Sequence, residues 1–534
     1  LCHGTVCVVG KMRDLILQLS KSSIYSTKPL LRSDMGTLSA GVDSKSTLQL
    51  LRLGQSVAEF DDSLEKYFIE NQAYHSLIND RADFIAGDKG TGKTAVYRIL
   101  QKRYSITPEL KNVEVIAGFN PIGNPVFQRL VQQDVNVLTE GQYVSVWKTY
   151  ILSLIGNWLI DIVGGDYSEN LNQLQKLLNE TNLLSKGNKP ETIFSRIVNS
   201  LKKTFRPDTS ETTFTISETG LPIVSQKFTF GDVGKSESAK IREVTHEEAF
   251  DLLNDCLVDV GYSVWVALDR LDEAFQGYPN IEVPALRALL RTYLDLLAFD
   301  KLRLKIFVRK DLFRKIIGDG FVNLTHINAR KVEIVWDEAD LLNLLSRRIR
   351  DSSDFIETLE AQADSDETLF YKIFPEKVDA ADRKPTTFNW IMSRIRDGND
   401  IRAPRNLIDL VGKATEEQIR ADSRVSRVIK AGERLIMSEA LRNALSRLSD
   451  QRVQDTLLAE VGPEISAYIN KFTTEKAEHN LETLSGILEL EGEQLQYAIK
   501  QLMETGFLEE IKDTWKVPML YRDGLGITQG KAFA

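Results

Sequence analysis

One short stretch, Asp83-Phe84-Ile85-Ala86-Gly87-Asp88-Lys89-Gly90-Thr91-Gly92-Lys93-Thr94, carries glycines, a lysine and a hydroxyl at phosphate-cradling spacing. An apolar run leads into a loop of the form G-x-x-x-x-G-K-T, and helical residues follow. In such a loop successive backbone N–H groups point inward around phosphate oxygens. Gly87, Gly90 and Gly92 permit the close backbone approach, Lys93 reaches the terminal phosphates, and the Thr94 hydroxyl is a ligand for Mg²⁺. The contact set is therefore Gly87, Asp88, Lys89, Gly90, Thr91, Gly92, Lys93, Thr94 and Ala95. The pattern also occurs by chance in unrelated chains. Here it has its required context, a buried strand before and a helix after, with Val96, Ile99 and Leu100 as the apolar side of that helix. The helix adds the positive end of its dipole to the anion site.

A second constellation matches the first. The run Ser263-Val264-Trp265-Val266-Ala267-Leu268-Asp269 is a buried strand ending in an acid. At the carboxyl edge of a parallel sheet that acid faces the phosphates, so Asp269 is expected to hold Mg²⁺ through water. Asp272 and Glu273 follow, and one of the two is expected to polarise the attacking water. Another apolar strand, Leu302–Val308, ends in Arg309-Lys310-Asp311; a guanidinium at that tip suits phosphate sensing, with an ordinary Arg309–Asp311 ion pair as the alternative. In Arg402-Ala403-Pro404-Arg405 the proline breaks the chain before a helix, leaving Arg405 in its first turn. From there it can reach the nucleotide from a helical lid.

These residues need a parallel α/β core to bring them together. The spacing predicts a helix over Ala58–Asp80 whose Tyr67, Phe68 and Tyr74 are either core or stacked on a base. It predicts further strands at Val113–Gly118 and Val332–Trp336, and helices at His246–Val260 and Pro284–Ala298. Lys93 and Asp269 stand much further apart than the ~30 residues of one β-α-β unit. Residues 120–245 must therefore hold an insertion, with helical stretches at 144–163, 169–184 and 190–204 and a hairpin at Thr212–Ser217 and Ile223–Phe230. Arg347, Arg348 and Arg350 read as a solvated face; they, Arg314 and Arg330 are weak arginine-finger candidates. Residues 351–424 read as a helical lid, and 425–534 as a helical region ending in a winged-helix pattern whose third helix is Glu493–Glu504.

Composition excludes several classes. The chain has 534 residues, 42% hydrophobic and 27% charged, as ordinary globular proteins do. Three cysteines without paired spacing argue against a disulfide scaffold and fit a reducing, cytoplasmic setting. The five histidines are scattered and form no metal constellation. The most apolar segment, Val144–Val163, contains Lys148, Asn157 and Asp161, so a buried core helix is expected rather than a membrane span. Residues 1–55 read as a flexible lead-in, with Met12 or Met35 as candidate native starts. The net charge is −9, and residues 451–534 hold 8 Lys and Arg against 14 Asp and Glu. Phosphate neutralisation needs cations. A protein-facing or intramolecular winged helix is thus favoured over a DNA-binding one, with DNA kept as the alternative partner.

Taken in order, Gly87-x4-Gly92-Lys93-Thr94, Asp269-Arg270-Leu271-Asp272-Glu273, Arg309 and Pro404-Arg405 resemble the bacterial P-loop ATPases of the STAND class. The second motif is similar to that of the NACHT branch, though a small residue is usual where Arg270 stands. The lid Pro404-Arg405 and the winged helix are similar to the origin-recognition type of AAA+ ATPase. The resemblance implies a P-loop α/β core with a helical lid, ATP and Mg²⁺ as cofactors, slow hydrolysis, and a nucleotide-gated switch of signalling or defence type. It further implies a protein partner and self-association; a DNA loader or regulator acting through the winged helix is the alternative.

Overall fold

The computed structural model describes residues 41–118, 139–165, 168–181, 183–184, 215–216, 222–223, 244–274, 279–318, 320–430, 432–459 and 461–533. The proposed native starts and the 190–204 stretch lie outside them. Five parallel strands form the central sheet: β1 Phe84–Gly87, β2 Val113–Ala117, β3 Ser263–Leu268, β4 Leu302–Arg309 and β5 Lys331–Glu333, in the order β2-β3-β4-β1-β5. The acid-tipped β3 is thus separated from the loop-bearing β1 by one strand. Side-chain alternation splits β1, β3 and β4 between two cores. Phe84, Ala86, Val264, Val266, Leu268, Leu304, Ile306 and Val308 enter one cluster. Ile85, Trp265, Ala267 and Phe307 enter the other. Both faces are covered, as parallel sheets require.

Helix α1, Lys93–Arg103, packs on the second face and buries Val96, Ile99 and Leu100. The first face is covered by α2 (Glu140–Val163), α3 (His246–Val260) and α4 (Pro279–Leu296). By length and composition α2 is apolar enough to cross a membrane, but 72% of its 18-residue window is buried inside the molecule. Its polar residues are accommodated internally. Lys148 pairs with Asp295 at 2.7 Å, and Asn157 donates to the carbonyls of Ser153 and Leu183. Helix α4 begins five residues before its expected start, so Pro284 lies inside it. Of the hairpin in the insertion, Thr215–Ile216 pairs antiparallel with Pro222–Ile223.

Two expectations near the N-terminus are corrected. Residues 41–55 include a helix, Ser44–Leu50, N-capped by the Asp43 side chain, with Leu48 fully buried. The stretch Ala58–Asp80 is not one helix but three short pieces, Ala58–Phe60, Leu64–Tyr67 and Gln72–Ile78. Asn71 caps the last by accepting from the Tyr74 N–H, and Phe68 is extended. Asn and Asp side chains compete with helix hydrogen bonds and so mark boundaries.

Beyond the sheet, α5 (Glu338–Arg350) leads into a helical region that includes α6 (Pro404–Arg424) and α7 (Ser438–Arg452) around a separate apolar core. The C-terminal residues add Pro463–Asn470, β6 (Lys476–His479), Leu481–Leu488, α8 (Gly492–Glu504) and a hairpin of β7 (Glu509–Ile511) and β8 (Thr514–Lys516). A last strand, β9 (Thr528–Lys531), pairs with β6 and was not read from the sequence. A turn between α6 and the preceding helix is tethered to this module. Arg396 makes a bidentate pair with Glu509 at 2.9 and 3.0 Å, and the Gly398 N–H donates to the Gly506 carbonyl.

Candidate nucleotide-binding site

The loop after β1 needs its glycines. Gly90 and Gly92 have φ of +77° and +101°, conformations that side chains disfavour. At Gly90 a Cβ would stand 3.2 Å from Arg405 Cβ and 3.4 Å from Ala403 Cβ. The first turn of α6 therefore rests on the loop. Lys93 donates to the Gly87 and Asp88 carbonyls at 2.9 and 3.0 Å, which holds its ammonium across the loop mouth. Thr91 donates its hydroxyl to the Asp88 carbonyl, while Thr94 and Ala95 begin α1.

Asp269 follows β3 and is 3% exposed. Next to it Arg270 takes a φ of +57°, costly for a residue with a Cβ. Its guanidinium pairs with Glu59 and, at 3.5 Å, with Glu273. Glu273 lies on the exposed side of a single helical turn, Leu271–Ala274. The Asp272 side chain is outside the described residues.

Arg309 and Gly87 are register partners across β4 and β1, so its backbone is beside the loop. Its guanidinium, however, makes a two-point pair with Asp311 at 3.1 and 2.8 Å. The side chain that reaches the loop is its neighbour. Lys310 bridges Asp88 at 3.2 Å and Glu333 at 2.9 Å. Burial opposes the Lys310 charge, but the two carboxylates outweigh it and hold the ammonium above its ordinary value.

Arg405 is crowded by its own kind. Burial, then the Arg452 charge, and last the Arg270 charge push its pKa down against the pull of Asp409. Its Nε is buried with no hydrogen-bond partner. Arg452 itself is held by Asn406 and Asp409.

Other sequence candidates are placed elsewhere. Arg348 is not on a solvated face; it is 4% exposed, pairs with Asp61 at 3.0 Å and lies over the Tyr67 ring. Arg347 donates to the Phe68 carbonyl, and Arg350 pairs with Asp366. Arg330 is bound to Asp80 and Asp83, away from the loop. Arg314 is exposed on the helix after β4. Tyr67, Phe68 and Tyr74 belong to the core: the Tyr67 hydroxyl donates to Asp61, and Phe68 meets Tyr74 edge-on at 5.2 Å.

Two residues were missed in the sequence. Residue type alone favours Arg309 over Lys310, because a guanidinium fork matches phosphate oxygens better than an ammonium. Trp336 donates its indole N–H to the Thr91 carbonyl at 2.8 Å and packs against Leu344 and Ile408. It thereby joins the loop to α5 and α6; only its place at the end of the fifth predicted strand marked it.

Strand order, glycine loop and acid-tipped β3 together define a parallel α/β fold of the P-loop kind with an added helical region. No family model matches the chain, and no curated protein matches it. Among solved structures it is similar to a Walker-type ATPase of Pyrococcus abyssi, with 11% identity, TM-score 0.37, and 89% of this chain and 98% of that one covered. It is similar to the Aeropyrum pernix ORC2 protein in ADPNP–ADP complexes, with 13% identity, TM-score 0.39, and 86% and 93% covered. A third is the Aeropyrum pernix ORC1 protein in complex with DNA, with 12% identity, TM-score 0.32, and 88% and 96% covered.

Proposed function

We propose that this chain is an ATP-binding, slowly hydrolysing switch whose helical region changes position with the nucleotide. The observation that carries the reading is the seat of Arg405 and Ala403 on Gly90. Whatever fills the loop must act directly on the first turn of α6. A triphosphate there would let Lys93 exchange two loop carbonyls for phosphate oxygens, and would give Arg405 the anion its surroundings call for.

Mg²⁺ fits the donors present. The Thr94 hydroxyl and the buried Asp269 carboxylate are hard oxygen ligands, and Mg²⁺ is commonly held by one or two such groups with phosphates and water completing the shell. When bound it supplies charge neutralisation at the phosphates. Asp272 or Glu273 orients water; the water oxygen bonds to the γ-phosphorus as the bond to the bridging oxygen breaks. The carboxylate takes the proton, leaving ADP and phosphate. Arg309 is a sensor only if it leaves Asp311, so Lys310 shares that role in our reading.

In this proposal the 425–534 segment is a helical region ending in a winged helix that contacts protein, consistent with the acidic balance of 451–534 and with exposed Glu493, Gln494, Gln496 and Glu504 on α8. Self-association and a signalling or defence setting of the STAND kind belong to the same proposal. DNA affinity that strengthens with ATP and weakens with salt would favour the loader alternative instead. The direct test is equilibrium binding and phosphate release: Lys93→Ala should abolish ATP binding, while Glu273→Gln should keep binding and slow turnover. Wild-type hydrolysis by both variants would overturn the site.

A further inference from the structure

A strap of chain, residues 52–61, crosses from the helical region to the P-loop core. Arg348, on α5, holds both ends of it, donating to the carbonyls of Leu53 and Gln55, at 2.6 and 3.2 Å, and to the Asp61 carboxylate. The Ser352 hydroxyl accepts from the Arg52 N–H. In its middle Arg98, on the P-loop helix α1, donates to the Ala58 carbonyl. The next residue, Glu59, takes the Arg270 guanidinium on its carboxylate. Arg270 also holds Glu273, more loosely, at 3.5 Å. Two carboxylates thus share one cation beside the metal-side acid Asp269. One belongs to a segment tied to both the nucleotide helix and the helical region. The other is a candidate for orienting the attacking water.

We propose that Arg270 is a positioning residue under the control of this strap: Glu59 draws the guanidinium toward itself, and when that pull weakens Arg270 clamps Glu273 away from the γ-phosphate. Strap position then sets turnover without touching the phosphates. Arg270 stands directly after the β3 acid at a φ of +57°, where the chain turns between Asp269 and the helical turn that carries Glu273. The geometry also gives the two partners opposite effects, which simple loss of packing does not produce. The inference rests on the hydrolytic reading above, for which Glu273 is a water-orienting candidate.

The test compares Arg270→Ala, Arg270→Gly, Glu59→Gln and the Arg270→Ala/Glu59→Gln double variant in the full chain with ATP and Mg²⁺. Arg270→Gly suits the positive φ and guards against a folding defect in the alanine form. Turnover is expected to rise about two- to fivefold on removing Arg270 and to fall by a similar factor in Glu59→Gln, the size of effect a partly exposed ion pair carries. The double variant should follow Arg270→Ala, KM should stay within about twofold in all, and Arg270→Lys should return toward wild type. Changes of the same sign in Arg270→Ala and Glu59→Gln, or a Glu59→Gln loss that persists in the double variant, overturn the proposal. Hydrogen exchange at residues 271–274 gives a readout free of hydrolysis: faster in Arg270→Ala than in wild type, slower in Glu59→Gln. If wild type binds ATP but releases no phosphate, the hydrolytic reading fails, and unchanged exchange in both variants overturns the clamp independently.

Discussion

At the amino end of β1, Asp83 accepts from Lys305 at 2.7 Å, from the Tyr293 hydroxyl at 2.8 Å and from Arg330. Lys305 completes its shell with Asp80 and the Ala82 carbonyl, and its ammonium lies 3.9 Å over the Trp265 ring. Asp83 and Lys305 are both wholly buried. At the carboxyl end of the same strand, Lys93, Lys310, Arg270, Arg309 and Arg405 surround a loop of glycine backbone, and Arg405 keeps a buried Nε without a hydrogen bond. One end is a closed network in which each cation has its anion. At the other, Arg270, Arg309 and Lys310 also have carboxylate partners, and what is left over is one donor, the Arg405 Nε. Buried charges that are fully paired fix a structure, whereas a buried donor left over beside a phosphate-type loop is the one a bound anion would satisfy.

Breaking the closed end should have the largest effect. Lys305→Met leaves Asp83 buried beside fewer cations, and removing one partner of such a pair costs about 3–5 kcal/mol. Urea unfolding should show that loss; one below about 1 kcal/mol would mean that the amino end is no more structural than a surface ion pair. The pH dependence has a defined sign. Burial opposes the Asp83 charge, but Lys305 and Arg330 outweigh it and hold the pKa below its ordinary value. Its contribution is therefore present above the unfolded carboxyl range and is lost as pH falls through the folded value.

Arg405→Met sharpens the contrast from the other end. Here removal relieves a crowded cation, so unfolding stability should change by less than about 1 kcal/mol and is allowed to rise. ATP affinity should fall about tenfold, the scale of one charge-assisted hydrogen bond. Calorimetric titration and urea unfolding on the same variant separate the two. A large stability loss with unchanged affinity would make Arg405 a second closed-network residue and erase the distinction.

The open end was much more legible in the sequence than the closed one, for a physical reason. A glycine loop between strand and helix, or an acid at the tip of an apolar run, is encoded in consecutive residues. The buried ionic groups join positions far apart: Asp83 with Lys305 and Tyr293, Asp61 with Arg348, Glu59 with Arg270. Nothing local distinguishes Arg348 from its exposed neighbours on α5, so it read as solvated. The choice between Arg309 and Lys310 turned on a side-chain direction that residue type does not settle. The parallel character of the sheet followed from helices alternating with strands, but the placement of β3 and β4 between β2 and β1 needed the structure. Asp61 and Asn71, which interrupt the expected helix over 58–80, are recognisable breakers only once Arg348 and the Tyr74 N–H are seen to use them.

The smallest effect is expected where the tether between the two regions feels the loop. Asp397, in the turn held to Gly506 and Glu509, accepts from the Asn399 and Ile401 N–H groups at 2.9 and 3.0 Å. Burial nonetheless pushes its carboxyl up to about 6; the Asp88 and Asp400 charges add to that, and the two N–H groups oppose it. Because the folded form holds this proton more tightly than the unfolded chain, stability declines as pH rises from about 4 to about 6 and the penalty is then constant. Asp397→Asn keeps a carbonyl oxygen for both N–H groups and removes the ionisation. Its Tm should exceed wild type at pH 7–8 by a few degrees, and the gain should vanish near pH 4, as scanning calorimetry across that range would read. A gain independent of pH would show that Asp397 is felt through packing alone. A gain that grows with pH but disappears in the Asp88→Asn background would tie it to the P-loop, making this turn the point at which loop charge is communicated to the C-terminal module.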